Sequence, residues 1–424
     1  MSEFNRTELC RGVSFTGIID DRFKRNRIGV ALITPLDKKT AAANALLSCV
    51  LTRSCKKYPD FTSFSRKLDS LYSAAIYPLV RKIGDYQAVV ISVSGIEDKY
   101  AYDGQSVSEQ LSELLCSVLF EPNLTDGRFN EEDVEQERRQ LLEDIDAEFN
   151  EKRTYAINRC IENMCQGEPF SIGRCGSRED VESLSSEDIY NAWKNLIDNS
   201  RVEITMLGST DPEKSIEKFR SFFKPRTCEL PSDSITKTAG EEVRRITETD
   251  ELSQSKLVMG FRCKKPEGSK ESVENTLMGI ILGGIPTSKL FLNVREKQSL
   301  CYYCAARVDN EKGILLIDSG VESENIEKTE AAVLRQIEEM KKGNITEEEL
   351  HFAKLALKNA FISSTDSLAA LQSFYISRAN MKEKLSPREA SALVDDITSE
   401  KITMLARQIE LDTVYTLKGQ TEAE

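Results

Sequence analysis

The sequence predicts an α+β protein of two tandem homologous domains, each an antiparallel-rich sheet with helices packed on one face. Two observations favour this fold class. Segments with the two-residue apolar period of strands alternate with segments that have the three- to four-residue period of helices. The order of these segments in the first half of the chain then recurs in the second half. The chain has 424 residues, enough for two domains of about 200 residues each.

The first half opens with a strand-like run at residues 28–35, IGVALITP, and continues with an Ala- and Leu-rich run that is typical of a buried helix. The run YQAVVISVSG predicts a half-buried strand, with Val89, Ile91 and Val93 on one face and Ser92 and Ser94 on the other. Two amphipathic helices should follow, with apolar positions at Val107, Leu111, Leu114, Leu115 and Val118 and at Val134, Leu141, Leu142, Ile145 and Phe149.

The second half repeats this series in the same order. SKLVMGFRC matches the opening strand, VENTLMGIILGG the first helix, and EKGILLIDSG the strand YQAVVISVSG. Before the last helix of the series, NIT at Asn344 corresponds to NLT at Asn123. A chance similarity would not preserve the order of so many segments, so we infer a duplicated domain.

A polar stretch separates the two copies. Residues 224–242 are interrupted by Pro225, Pro231 and Gly240 and show no apolar period, as expected of a linker. We therefore predict a first repeat at residues 1–223, a linker at 224–242 and a second repeat at 243–424.

Composition narrows the classes of partner and compartment. The net charge of −13, from 57 Lys and Arg against 70 Asp and Glu, disfavours nucleic acid and suits a cationic peptide or protein. No apolar run approaches the about 20 residues that span a bilayer. The N-terminus also lacks the basic and apolar regions of a secretory signal, so we expect a cytoplasmic protein without a membrane partner. The 11 Cys residues are irregularly spaced, as expected of reduced thiols that serve as small hydrophobes.

The common catalytic motifs are absent from the sequence. His351 is its single His, which excludes a site that needs two imidazoles from this chain and deprives a Ser or Cys nucleophile of its usual base. We interpret His351 as a partly exposed helical residue. Gly283 and Gly284 lack the further glycines and the Lys of a nucleotide-binding loop.

Two groups of cysteines are candidates for metal or redox chemistry. Cys301 and Cys304 form a C-x-x-C sequence, but residues three apart in a regular strand point to opposite faces, which favours separate buried thiols. Cys160, Cys165 and Cys175 have uneven spacing and no evident fourth ligand, so buried thiols are again the favoured interpretation.

The segments LGGIPTSKLFLNVREKQSLCYY and EPNLTDGRFNEEDVEQERRQLLEDI resemble the pitrilysin/insulinase-type (inverzincin) peptidases, which include the mitochondrial processing peptidase. The resemblance extends over nearly the whole chain and implies the LuxS/MPP-like metallohydrolase architecture. Within the family, the chain is most similar to a bacterial type that lacks the zinc motif, belongs to a paired set and is associated with elongation factor P modification.

Catalytic members of this family carry His-x-x-Glu-His in the first helix. In the best register, the motif positions here hold Asn44, Ala45, Leu46, Leu47 and Ser48. Asn44 and Ser48 are poor zinc ligands, and Leu47 cannot accept a proton from water.

The third zinc ligand of the family is a Glu in a later helix. Asp144 is the acidic candidate for this position, with Glu137 and Glu143 close by. One carboxylate does not hold zinc by itself. The resemblance therefore implies a degenerate site, no bound metal or catalytic residue in this chain, and no peptidase activity of its own.

The resemblance also gives roles to Arg295 and Tyr302 in the second repeat. In the family, the corresponding Arg and Tyr reach the metal site of the other half across a closed chamber, where they hold the substrate backbone and assist with the oxyanion. Both side chains donate hydrogen bonds to oxygen, and the Arg remains charged. The segment departs from the family at Lys289, which replaces an Arg, and at Ser299, which replaces a Gly.

Three hypotheses follow from these observations. The favoured one is a non-catalytic subunit that pairs with a zinc-bearing homologue and completes its peptide-binding chamber. The first alternative is a purely structural or peptide-binding clamshell with no role in catalysis. The second is an enzyme with relocated chemistry, based on the Cys residues or the acidic cluster between Glu137 and Asp144; a solvated helix face is the favoured interpretation of that cluster.

Overall fold

A computed structural model describes residues 3–225 and 234–420, which form two compact units. The first unit comprises Met1–Ile145, Ile172–Asp233 and Asp366–Ala379. The second comprises Asp146–Ser171, Ser234–Thr365 and Asn380–Glu424. This division differs from the predicted repeats in two segments, because residues 146–171 and 366–379 each pack with the unit formed by the other half of the chain.

The strands are β1 (Glu3–Cys10), β2 (Val13–Ile19), β3 (Arg25–Pro35), β4 (Ala75–Ile83), β5 (Tyr86–Ile96), β6 (Leu124–Thr125), β7 (Arg128–Phe129), β8 (Arg201–Gly208), β9 (Arg244–Asp250), β10 (Ser255–Arg262), β11 (Cys301–Asp309), β12 (Ile314–Val321) and β13 (Glu410–Gly419).

The α-helices are α1 (Lys38–Leu51), α2 (Phe61–Ser70), α3 (Val107–Phe120), α4 (Glu131–Asn150), α5 (Lys152–Met164), α6 (Arg178–Glu182), α7 (Ser186–Asn199), α8 (Glu213–Phe222), α9 (Ser269–Gly283), α10 (Ile326–Lys341), α11 (Glu347–Ser363), α12 (Leu368–Ser377), α13 (Pro387–Leu393) and α14 (Ser399–Ala406). A π-helical turn at Phe291–Glu296 lies between α9 and β11.

The two large sheets have matching topologies. The first unit has the strand order β1-β2-β8-β3-β5-β4, and the second has β11-β12-β10-β13-β9. When β1 is left out and the first sheet is read from its other edge, its strand order is β4-β5-β3-β8-β2. These five strands correspond one to one to β11-β12-β10-β13-β9 of the second sheet. Each sheet has one parallel pair, β2 with β8 and β9 with β13, and its other pairs are antiparallel. The predicted α+β class is therefore confirmed.

Helix α12 covers the second face of the first unit's sheet. Alternate residues of β3 and β5 join the large core with α1 and α3, and the intervening residues form another cluster with Ile376 of α12. In α12, Gln372 Oε1 accepts hydrogen bonds from Arg27 Nε at 2.8 Å and Ser92 Oγ at 3.0 Å. The prediction of a half-buried strand is wrong for β5, because Ser92 faces this distant helix and the strand is buried on both faces. Helices thus lie on both faces of the sheet, and the predicted placement of helices on one face is wrong, because α12 comes from the other half of the chain.

In the second unit, α5 takes the equivalent place. Cys160 and Met164 of α5 pack in one cluster with Val258 of β10 and Leu316 of β12. A Cβ atom on Gly260 of β10 would lie 2.5 Å from Met164 Sδ, so the helix requires a glycine beneath it. The first unit has the same arrangement, since a Cβ atom on Gly29 of β3 would lie 2.1 Å from Gln372 Nε2.

A buried charge network attaches the segment after α5 to the second unit. The side chain of Glu168 is fully buried and accepts hydrogen bonds from Arg262 Nη2 at 2.7 Å. It also pairs with the buried Lys312, whose Nζ lies 2.8 Å from Glu168 Oε2. Arg262 Nε pairs in turn with Asp412 Oδ2 at 3.1 Å. Burial alone would raise the pKa of Glu168, but hydrogen bonds from Arg262 and Lys312 outweigh burial and lower the pKa.

The predicted linker is described only in part, because residues 226–233 lie outside the described residues. Residues 234–242 contain no helix or strand. Ile235 nevertheless has a defined contact, since its carbonyl oxygen accepts a hydrogen bond from Lys312 Nζ at 2.5 Å. Within residues 3–225 and 234–420, no helix is both long enough and apolar enough to cross a bilayer.

Candidate functional site

The degenerate zinc-motif positions lie on α1, a helix that is buried around most of its circumference. The carboxylate of Asp37 caps the helix by accepting a hydrogen bond from the backbone N–H of Lys39 at 2.8 Å. Ala41 to Leu47 are buried without interruption. A helix with so little polar surface must be packed on several sides. Consistent with this, α1 lies against β5 and also against α7.

Asn44 is fully buried and bonded to a second amide. Its Nδ2 donates a hydrogen bond to Gln87 Oε1 of β5 at 2.9 Å. Gln87 Nε2 then donates to the carbonyl oxygens of Ala41 at 2.9 Å and Arg174 at 2.7 Å. An amide network therefore occupies the position of the first zinc ligand, and it joins α1 to β5 and to the loop at Arg174.

The other two motif positions are also committed to packing or local bonds. Leu47 is fully buried within the large core of the first unit. Ser48 Oγ donates a hydrogen bond to the Ala45 carbonyl oxygen at 2.7 Å, as hydroxyl groups within helices commonly do.

The acidic residues of α4 have partners other than a metal. Arg53 Nη1 donates to Glu137 Oε1 at 2.8 Å, and Arg53 Nε donates to Asp133 Oδ1 at 2.7 Å. Asp144 is exposed, and its Oδ1 accepts a long hydrogen bond of 3.4 Å from Gln140 Nε2. Glu143 is also exposed.

These side chains do not fit zinc. Asn44 and Ser48 are neutral, Leu47 is apolar and Asp144 is exposed, so these positions lack the two His and the Glu that hold the ion in the catalytic members of the family. Burial raises the pKa of the neighbouring Cys49 thiol to about 12. Among the described residues, no group of three or more His, Cys, Asp or Glu is arranged to hold a metal ion.

Arg295 lies on the π-helical turn that precedes β11. The turn is marked by the bond from Lys297 N to the Leu292 carbonyl oxygen at 3.0 Å, which spans five residues. Such turns are rare and frequently occur at functional sites. The Arg295 guanidinium lies 4.5 Å from the centroid of the Phe291 ring, and its side chain is 38% exposed. The structure thus presents a partly exposed cation supported by an aromatic ring.

The backbone conformation at Ser299 explains why the family has a glycine at this position. Its φ of +50° lies in the left-handed region, which favours Gly. The backbone N–H groups of Ser299 and Leu300 donate to the carbonyl oxygens of Arg295 and Val294 and thereby close the turn. Lys289, the other departure from the family, pairs with Glu349 Oε2 at 2.9 Å. That contact anchors the start of α11.

Tyr302 is the extra residue of a β-bulge in the edge strand β11. Cys301 pairs with Val321 and Tyr303 pairs with Gly320, so no residue of β12 lies opposite Tyr302. A bulge of this kind redirects a side chain, and Tyr302 is 53% exposed. Its hydroxyl donates a hydrogen bond to Glu322 Oε1 at 2.5 Å, which raises the pKa of the phenol. Tyr302 therefore remains a protonated donor at neutral pH.

The bulge also contradicts the predicted orientation of Cys301 and Cys304. Their partners on β12 are Val321 and Ser319, two positions apart, so the two thiols lie on the same face of β11. Both residues are buried. The reasoning from a regular strand is wrong here because the extra residue shifts the alternation by one position.

Gly283 and His351 have structural interpretations. A Cβ atom on Gly283 would lie 2.7 Å from Ala306 N, so this glycine permits close contact between the end of α9 and β11. His351 is exposed on α11 and stacks edge-on with Phe352.

The other cysteine group is divided between the units. Cys160 and Cys165 are buried in the core of the second unit, whereas Cys175 belongs to the first unit. Neither the contact of Gln87 with Asn44 nor the bulge at Tyr302 was predicted from the sequence.

Comparisons with known proteins bear on these positions. A family model described as "Peptidase M16 inactive domain" matches residues 183–357. The "Probable inactive metalloprotease YmfF" of Bacillus subtilis (strain 168) is 28% identical over 403 residues, which cover 94% of this chain and 94% of that protein.

Two solved structures extend the comparison. A conserved protein from Enterococcus faecalis V583 has a TM-score of 0.91 at 25% identity and covers 99% of this chain and 100% of its own. The peptidase M16 inactive domain from Pseudomonas fluorescens has a TM-score of 0.75 at 15% identity, a likeness of fold alone, over 100% of this chain and 99% of its own. These findings confirm the resemblance predicted from the sequence and support a catalytically inactive peptidase homologue.

Proposed function

We propose that this relative of the M16 peptidases is the non-catalytic subunit of a heteromeric zinc metallopeptidase. It pairs with a zinc-bearing homologous subunit, and its Arg295 and Tyr302 complete the partner's peptide-binding and peptide-cleaving chamber. The zinc and the activated water belong to the partner, and this chain contributes hydrogen-bond donors. It acts in the cytoplasm; its association with elongation factor P modification remains a prediction from the resemblance.

One contrast carries the proposal. In the first unit, Asn44 is bound to Gln87, Leu47 is packed in the core and Ser48 is bonded to its own helix. In the second unit, the side chains of Arg295 and Tyr302 remain accessible on a π-helical turn and a β-bulge. The positions that would bind the metal thus hold packed or hydrogen-bonded side chains, whereas the positions that would bind the substrate hold accessible hydrogen-bond donors.

The chemistry of the two side chains suits this role. The guanidinium of Arg295 is permanently charged, and its cation–π contact with the Phe291 ring restricts its position. The phenol of Tyr302 is held by Glu322 and must turn from that carboxylate to bond a substrate oxygen. Donors that are fixed in a water-poor chamber stabilise developing negative charge more strongly than water does.

The test is reconstitution from purified subunits. This chain alone should bind no stoichiometric zinc and cleave no peptide, whereas its mixture with the homologue encoded by a neighbouring gene should cleave peptides and contain zinc on the homologue. If this chain binds the homologue but changes no cleavage rate, the structural clamshell is correct instead. Zinc bound stoichiometrically by the isolated chain would contradict the proposal directly.

A further inference from the structure

A cavity of the second unit lies beside the start of α5. Its volume is about 410 Å³, within the range of about 300–1,000 Å³ that small-molecule sites have. Residues 151–153 contribute to its lining, together with residues 252–254, Lys256 and Tyr303. All of them belong to the second unit, so the cavity is complete within one unit. The residues assigned above to the partner's chamber do not line it.

The pairing of three strands brings the polar side chains of this cavity together. Lys256 of β10 and Tyr303 of β11 both lie opposite Gly320 of β12, so they share one face of the sheet. A Cβ atom on Gly320 would lie 2.5 Å from Tyr303 Cε1 and 3.3 Å from Gln254 Oε1. Lys256 Nζ lies 5.9 Å from the centroid of the Tyr303 ring. The glycine thus leaves room for the Tyr303 ring and the Gln254 amide above it, beside the lysine.

Several hydrogen-bonding groups of the lining have no partner in the described part of the chain. The Lys256 ammonium forms no ion pair or hydrogen bond, and the side-chain amide of Gln254 forms no hydrogen bond. The Tyr303 hydroxyl is buried and also lacks a hydrogen bond. Arg153 Nε donates to Asp318 Oδ2 at 2.5 Å, whereas its Nη1 and Nη2 donate no hydrogen bond. Donors of this kind around one cavity are complementary to an anion with oxygen acceptors.

The carboxylates near the cavity limit the charge of that anion. Glu151 lines the cavity, but its Oε2 accepts a hydrogen bond from the backbone N–H of Thr154 at 2.5 Å and caps α5. Lys152 and Arg153 each pair with an aspartate, at 2.7 Å and 2.5 Å. Among the cations of the lining, Lys256 is therefore the one without a carboxylate. A ligand with one negative charge balances this lysine better than a phosphate monoester, which carries about two.

We propose that this cavity binds the carboxylate of a small ligand, either the C-terminus of a short peptide or a free organic acid. The Lys256 ammonium pairs with the carboxylate, and the Tyr303 hydroxyl and Gln254 amide donate hydrogen bonds to its oxygen atoms. Arg153 adds a positive charge beside the phenol, since its guanidinium lies 4.4 Å from the centroid of the Tyr303 ring. Leu252, the apolar residue of the lining, contacts the hydrocarbon part of the ligand. The site does not depend on the proposed pairing with a zinc-bearing homologue.

The experiment is isothermal titration calorimetry of the full chain with a matched pair of probes. N-acetyl-alanyl-leucine has a free carboxylate, and its C-terminal amide differs only in that group. We expect the acid to bind at least about tenfold more tightly than the amide, because hydrogen bonds to a charged group are stronger than those to a neutral group. A third probe, 4-methylpentanoate, keeps only the carboxylate and an apolar tail. Tighter binding of the dipeptide identifies a peptide C-terminus as the ligand, and tighter binding of 4-methylpentanoate identifies a free acid.

Variants then test which residues bind the carboxylate. Lys256→Met retains the length of the side chain without its charge and should weaken binding of the acid by about tenfold or more. Tyr303→Phe removes a single hydroxyl and should weaken binding by a smaller factor. Lys270→Met is the matched control, because Lys270 is exposed on α9 of the same unit and does not line the cavity; it should bind as the wild type does.

The comparison of acid with amide needs only the wild-type protein, so it decides the matter even if a variant fails to fold. The proposal is overturned if the wild type binds neither carboxylate probe at millimolar concentration, or if it binds the amide as tightly as the acid. It is also overturned if a folded Lys256→Met variant binds the acid as tightly as Lys270→Met does.

Discussion

Removal of the Glu168 carboxylate should severely destabilise the second unit. The side chain is fully buried between Arg262 and Lys312, at 2.7 Å and 2.8 Å from their nearest nitrogen atoms. Glu168→Ala leaves those two buried cations without the carboxylate that they share. Breaking a buried ion pair from one side costs about 3–5 kcal/mol. We expect Glu168→Ala to lower the free energy of unfolding by this amount.

The assay is urea unfolding followed by far-ultraviolet circular dichroism, with linear extrapolation to water. Glu162→Ala is the matched control, because Glu162 lies on the preceding helix, is 55% exposed and forms only a surface pair with Arg159. Such a pair is worth about 0–1 kcal/mol. If Glu168→Ala costs no more than this control, the buried network does not stabilise the unit as the structure indicates.

The pH dependence of the same network has a definite sign. The folded pKa of Glu168 is lower than the unfolded value of about 4.3. Its contribution is therefore complete above about pH 4.3 and is lost as the pH falls through the folded pKa. The stability difference between the wild type and Glu168→Gln should shrink over that acidic range and stay constant from pH 6 to 8 in the same urea titrations. A difference that grows with acidification would contradict this assignment.

Three further predictions concern backbone strain, packing and metal binding. Ser299→Gly should raise the free energy of unfolding by about 0.5–1 kcal/mol in urea titrations, because Ser299 is exposed and holds a φ of +50°; a destabilised variant would contradict this. Gly260→Val should cost about 1–3 kcal/mol by overpacking against Met164, whereas Gly240→Ala in the linker should be neutral; equal effects on the thermal midpoint would refute this reasoning. Asn44→His combined with Ser48→His should still bind no stoichiometric zinc by metal analysis, since position 44 is fully buried against Gln87 and Asp144, the candidate for the third ligand, is exposed.

The sequence predicted what depends on local periodicity and on the internal repeat. The stripe at Val107, Leu111 and Leu115 identified α3 because an amphipathic helix shows its buried face every three to four residues. β9, with the sequence RRITETD, was not predicted, because a largely exposed edge strand has little apolar alternation. The second face of β5 was missed because Gln372, which covers Ser92, is 280 positions away.

At the candidate site, the sequence showed which residues replace the metal ligands, but it did not show the backbone conformation around Tyr302. The absence of His and Glu from the first helix was visible directly in Asn44, Leu47 and Ser48. The bulge at Tyr302 was hidden because it depends on the pairing of β11 with β12, and one extra residue reversed the inferred geometry of Cys301 and Cys304. Pairing register is a tertiary property that one strand's own sequence specifies only weakly.

The central claim is that this chain supplies donors to a zinc site on another polypeptide. Its most direct test is the kcat of peptide cleavage by the reconstituted pair, with Arg295→Ala and Tyr302→Phe introduced in this chain alone. Arg307→Ala and Tyr100→Phe are matched controls, because both residues are exposed and neither belongs to the proposed site. We predict that Arg295→Ala lowers kcat by about 10²–10³-fold, the usual effect of losing an oxyanion donor, that Tyr302→Phe also lowers it, and that the controls have no effect. Unchanged kcat in the Arg295→Ala/Tyr302→Phe double variant, with subunit association intact, would contradict the claim.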